Sequence, residues 1–135
     1  MDVPVATEIM LLGWSVMLLL VHIALQGGLV LPKRGLTWNA GPRDEGQPPL
    51  GRYSGRSQRA LNNYKETYPA FIALVLGLAI TDQTGGTAEL GAWLWFSARV
   101  LYLPLYVFGV PWVRSAAYGV SLAGLVLMLI ELLYR

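Results

Sequence analysis

The chain has no cysteine and a single histidine, His22. The first absence excludes disulfides, thiolate-held metals and a cysteine nucleophile. The second leaves no pair of imidazoles at metal-ligand spacing, and no Ser/His/Asp arrangement appears in the sequence. His22 itself falls in the middle of an apolar run and reads as a hydrogen-bonded core residue. Charge is scarce as well: 13% of residues are Asp, Glu, Lys or Arg, against about 25% in soluble domains. No Lys or Arg precedes Lys33, so the N-terminus lacks the positive region of a secretory signal. The apolar segment from Glu8 to Leu31 is also too long for a signal core, and is read as a retained membrane helix.

What fills the space is apolar. Hydrophobic residues make up 55% of the 135, and the mean hydropathy is +0.49. The length suits one domain, 1–135, in the membrane. Four runs are long enough to cross a hydrocarbon core of about 30 Å as helices: about 8–31, ended by Pro32, then about 58–81, 89–109 and 112–133. None alternates as a barrel strand would, and helices satisfy their own backbone in lipid. The expected fold is all-α, a four-transmembrane-helix bundle. Trp38, Trp93, Trp95, Trp112 and Tyr134 are candidate interfacial anchors.

The basic residues are placed unevenly. Lys33, Arg34, Arg43, Arg52, Arg56 and Arg59 cluster in and beside the Pro/Gly-rich loop 32–57, whose acids are Asp44 and Glu45. Lying between two spans, this cluster is an orientation signal rather than a nucleic-acid patch. The loop 82–88 has neither Lys nor Arg. The turn 110–111 is very short, so the third and fourth helices form an antiparallel hairpin. The positive-inside rule then sets loop 32–57 and the hairpin tip in the cytoplasm and both termini outside.

Against this background several polar residues stand out. On a helix, positions i, i+3, i+4 and i+7 share a face. Arg59, Asn63 and Glu66 have that spacing in the second span, Arg99, Tyr102 and Tyr106 in the third, and Arg114 and Tyr118, with Ser115 beside them, in the fourth. Each stripe carries an Arg, and the topology brings them toward the cytoplasmic end. Guanidinium forks match carboxylates bidentately, so a shared pocket there would take an anion with more than one carboxylate. Plainer readings stand beside this one. Arg59 and Arg114 can snorkel to headgroups, Arg99 can pair with Glu66 as interhelical glue, and the tyrosines can simply pack. Pro69 and Pro104 would free backbone carbonyls near the cluster.

These stripes resemble the MAPEG family, the membrane-associated proteins of eicosanoid and glutathione metabolism. The family's Arg-Ala-x-x-Asn-x-x-Glu-x-x-Pro appears as Arg59-Ala60, Asn63, Glu66 and Pro69. Its Ala-Arg followed by spaced aromatics appears as Ala98-Arg99, Tyr102 and Tyr106, and Arg-Ser-x-x-Tyr as Arg114-Ser115 and Tyr118. Leu61, Asn62 and Thr67 depart from the pattern. The resemblance covers almost the whole chain. It implies a homotrimer that binds glutathione between subunits as co-substrate, without a metal, and conjugates it to a lipophilic small molecule. Peroxidase activity is a second activity that it implies. The glutathione residues would be Arg59, Asn63, Glu66, Arg99, Tyr102, Ser115 and Tyr118, with Arg34 joining from a neighbouring subunit. Arg114 would stabilise the thiolate, with Tyr106 as the other candidate. The alternative is a non-catalytic trimer that binds a lipid or a protein partner. The compact form suits a bacterial inner membrane.

Overall fold

A computed structural model describes residues 4–34 and 51–134, with 30–34 by backbone alone. Its four helices are, in chain order, α1 Thr7–Arg34, α2 Arg52–Ile80, α3 Gly86–Val107 and α4 Pro111–Tyr134. Helices α2 and α3 form the central pair; α1 lies against both, and α4 packs most extensively on α3 and also touches α2. Among the described residues α1 and α4 do not meet.

Three helices, α1 over Thr7–Leu29, α3 and α4, are long and apolar enough to cross a membrane. The chain is an integral membrane protein. Helix α2 is the polar one, because its first half carries the Arg, Asn, Lys and Glu of the sequence stripe before "FIALVLGLAI" begins. The burial of α1 keeps to the packing period: Glu8, Leu11, Ser15, Leu18 and His22 are buried, while Trp14, Met17, Leu20 and Val21 face outward. A stripe this narrow leaves most of the helix to its apolar surroundings.

Two boundaries differ from the sequence expectation. Helix α1 does not end at Pro32 but runs through it to Arg34. Proline costs one backbone hydrogen bond and is tolerated in membrane helices, so it is a weak stop there. Helix α2 begins at Arg52 rather than near 58. Its first turns are too polar for a hydropathy window, yet Ser54, Ser57 and Ala60 are buried at helical spacing. Ser54 Oγ donates to Leu29 O at 2.9 Å, fastening this extension to α1. Pro69 and Pro104, like Pro32, are carried within continuous helices.

The core is aromatic. Trp95 is fully buried, its ring stacked on Phe71 at 3.9 Å between centroids and on Tyr68 at 5.9 Å. It is therefore not an interfacial anchor, as its place in the third span had suggested; its neighbours one helical turn apart on α2 claim it. Trp112 and Tyr134, at 86% and 83% exposure, keep the anchor geometry, and Trp93 is exposed too. Trp38 lies outside the described residues. Tyr64 Oη donates to Ser15 O at 2.6 Å, and Ser15 Oγ and Tyr68 Oη share a bond of 2.9 Å. His22 packs on the Tyr64 ring at 4.7 Å, but neither ring nitrogen has a hydrogen-bond partner among the described residues. Among the described residues the neighbour of the imidazole is thus an aromatic ring and not the expected hydrogen-bond partner.

Helices α3 and α4 touch backbone to backbone where Gly91 faces Gly124. A Cβ on Gly91 would lie 2.6 Å from Gly124 O and 2.8 Å from Met128 Cγ, and one on Gly124 would collide with Gly91 O. Small residues at such a crossing let membrane helices approach closely. Toward the other end of the pair, Tyr102 and Tyr118 stand between the two helices with ring centroids 6.2 Å apart.

Candidate functional site

At the end of the bundle where α2 begins and α3 turns into α4, three helices line an open cavity of about 450 Å³. Helix α2 contributes Arg59, Asn62, Asn63 and Glu66, α3 contributes Tyr102 and Tyr106, and α4 contributes Arg114, Ser115 and Tyr118. Eight residues singled out by helical spacing thus meet in one place. Asn62 is the addition, and its signal is present in the sequence: with it, α2 shows the complete i, i+3, i+4, i+7 face of Arg59, Asn62, Asn63 and Glu66.

The cations are held by rings more than by acids. The Arg114 guanidinium carbon sits 4.6 Å from the Tyr106 ring centroid, a distance at which the quadrupole of the ring attracts the charge. Tyr106 and Tyr102 are in contact at 5.5 Å. Ser115 lines the cavity while its hydroxyl donates back to Pro111 O at 3.1 Å. Arg59 and Glu66 are exposed in the single protomer. Arg59 folds along its own helix, since a Cβ on Gly55 would lie 3.2 Å from one of its terminal nitrogens.

Arg99 is placed differently from the sequence expectation. It is fully buried behind the cavity wall, not among the lining residues. Its Nη1 donates to Asn63 Oδ1 at 2.8 Å, and its guanidinium carbon lies 4.4 Å from the Tyr102 ring and 5.3 Å from that of Tyr64. Its hydrogen bond is thus to Asn63 and not to Glu66, which removes the simple glue reading. The Nε and Nη2 of Arg99 have no hydrogen-bond partner among the described residues. A buried guanidinium with two nitrogens left without such a partner is costly unless something polar completes it. Tyr64 was also absent from the expected site, because it falls off the Arg59, Asn63 and Glu66 face and is buried in the core. The side chain of Arg34 lies outside the described residues.

Three arginines against the one carboxylate of Glu66 give this end of the bundle a positive field that suits an anion. Among the described residues no group of His, Asp or Glu could hold a metal ion.

The MAPEG family model matches residues 11–134. The chain belongs to the MAPEG family. Membership places it among membrane proteins of glutathione-related transfer or eicosanoid metabolism, and the match takes in α2, α3, α4 and all of α1 but its first turn. Neither a curated protein nor a solved structure matches the chain.

Proposed function

We propose that this MAPEG protein is a glutathione-dependent transferase acting on lipophilic electrophiles dissolved in the bilayer, with peroxidase activity as a second outcome of the same thiolate. The observation that carries the reading is the cavity itself, with arginines, a carboxylate and tyrosines from three helices around one space. Glutathione has two carboxylates, an ammonium and a thiol. Glu66 suits the ammonium and Arg59 suits a carboxylate, while Arg99, buried behind the wall, orients Asn63 through the bond to its Oδ1 and adds its charge to the site.

The chemistry needs the thiolate. Arg114, seated on the Tyr106 ring at the cavity edge, holds the sulfur as an anion while the thiol proton leaves to water. The sulfur lone pair then forms a bond to the electrophilic carbon as the leaving group departs with its electron pair. Lowering a thiol pKa from about 8.5 by two units corresponds to about 2.7 kcal/mol, within reach of one guanidinium. Tyr106 can donate a hydrogen bond to the same sulfur.

Arg59 and Glu66 are exposed on the protomer surface, which supports a homotrimer whose neighbouring subunit completes the site. Arg34 is the candidate from that neighbour. The basic residues beside the cavity support a cytoplasmic site with both termini outside, and the compact form suits a bacterial inner membrane.

Calorimetric titration of the detergent-solubilised protein with glutathione tests the reading. Saturable binding, weakened in Glu66→Gln, is expected. No binding at millimolar glutathione overturns the transferase and leaves a trimeric scaffold for a lipid or protein partner.

A further inference from the structure

The turn between α3 and α4 closes most of its own hydrogen bonds. Phe108 N donates to Pro104 O, Val110 N to Leu105 O and Gly109 N to Tyr106 O. The last two are the paired bonds of a Schellman motif, with Gly109 in the left-handed conformation at φ 71°. Val107 O is the next carbonyl in the row, and the turn offers it no N–H. Arg56 takes it: Nη1 donates to Val107 O at 3.3 Å, where the helix C-terminus favours a cation.

The same guanidinium lies flat against Gly109. A Cβ there would stand 2.7 Å from its carbon and from both terminal nitrogens, so the turn and the arginine occupy adjoining space with no room between. Beside this contact the Tyr53 and Phe108 rings meet edge to face at 6.5 Å. Both contacts come from the first two turns of α2, the extension that a hydropathy reading leaves out.

The cavity lies immediately past this turn. Pro111 opens α4, the Arg114 N–H donates to Val110 O at 3.3 Å, and Arg114 and Ser115 enter the cavity from this first turn. Arg59, Asn63 and Glu66 enter it from α2. We infer that Arg56 is a positioning residue: by clamping Val107 O and the face of Gly109 to α2, it sets the distance between Arg114 on α4 and the ligand groups of α2. It touches neither substrate nor sulfur and acts through the turn. The chemical readout of this role rests on the transferase reading above; the geometric readout does not.

The absence of cysteine makes the test direct. Nitroxide labels on Lys65→Cys and Val113→Cys, both exposed, report the α2–α4 distance by pulsed electron resonance in the full-length protein in lipid nanodiscs. Arg56→Met keeps the apolar stem and removes the donor and the flat cation; Arg56→Ala is the second variant should it be needed for folded protein. The distance distribution is expected to broaden in Arg56→Met and to narrow again in Arg56→Lys, which restores a donor to Val107 O. With glutathione and a chromogenic aryl halide, Arg56→Met is expected to lose about tenfold in turnover at pH 7, as misplacement of a reacting group predicts. The KM for glutathione should stay within about twofold and the acid limb of the pH–rate profile should move upward, because the binding groups on α2 are untouched. An unchanged distribution in Arg56→Met overturns the proposal, and so does a loss confined to KM. Wild type that fails to bind glutathione overturns the transferase reading instead, and the label distances still decide the role of Arg56.

Discussion

The two ends of the bundle close their turns alike, each with a Schellman motif and a side chain from another helix, but leave their polar side chains in opposite states. At the end holding the α2–α3 turn, Gly85 N donates to Glu8 Oε1 at 2.7 Å, a carboxylate borrowed from α1 to cap a helix whose own N-cap supplies no side-chain bond. Asp82 adopts the left-handed conformation at φ 57°, and Gln83 N reaches back to Leu78 O in a second Schellman motif. Gln83 Nε2 then donates to Glu131 O, tying α4 to the turn. At the cavity end Arg99 keeps two nitrogens without a partner among the described residues, and Arg59 and Glu66 stand exposed. Within a membrane, polar groups left incomplete mark a binding site more sharply than polar groups alone.

Substitutions at the first end should therefore move stability, and those at the second should move binding and chemistry. The largest effect expected is Gly124→Leu. Its side chain meets Gly91 O and the Trp95 backbone, and overpacking of a rigid contact costs about 1–3 kcal/mol or more. Thermal unfolding followed by size-exclusion chromatography should show a large loss of folded protein. Next comes Arg114→Ala, which should leave the melting temperature nearly unchanged. At pH 7 its conjugation rate should fall about 25-fold, the ratio of thiolate fractions for thiols about two pKa units apart. Above pH 9 the two rates should converge. A uniform loss at all pH values would take thiolate stabilisation away from Arg114.

Glu66→Gln is expected to weaken glutathione binding about tenfold, or about 1.4 kcal/mol, as one charged partner of an ammonium becomes neutral. Calorimetry reads it, and an unchanged affinity would remove Glu66 from the site. The smallest effect is Asp82→Gly at the closed end. Glycine adopts φ 57° without the side-chain penalty, so a gain of about 0.5 kcal/mol in unfolding free energy is expected, with no change in turnover.

Much of this was legible in the sequence. Four apolar runs, one very short turn and helical spacing of Arg, Asn, Glu and Tyr were enough to expect a bundle with a polar meeting point at one end. What escaped had physical causes. The start of α2 was hidden because Ser54 and Ser57 are buried by packing on neighbours, not by hydropathy. Trp95 looked like an anchor because composition cannot tell a lipid-facing indole from one stacked on Phe71 and Tyr68. The depth of Arg99 depends on which face of α3 turns toward Tyr64, and spacing along one helix fixes a face but not its distance from a cavity. Arg56 continues the Arg59 and Asn63 stripe by one turn, but its partner is a backbone carbonyl far along the chain, which no spacing within α2 can reveal.

The contact of Gly91 with Gly124 has a mechanical meaning. Two touching backbones with no side chain between them make a pivot, not a cushion. Arg114 stands about 15 Å along α4 from that point, at about 1.5 Å of rise per residue. A tilt of only about four degrees would swing it by about 1 Å, and a displacement of that size is enough to cost about a hundredfold in rate. The accuracy of the site is thus governed from a point well away from it, where the absence of two methyl groups keeps the lever arm true.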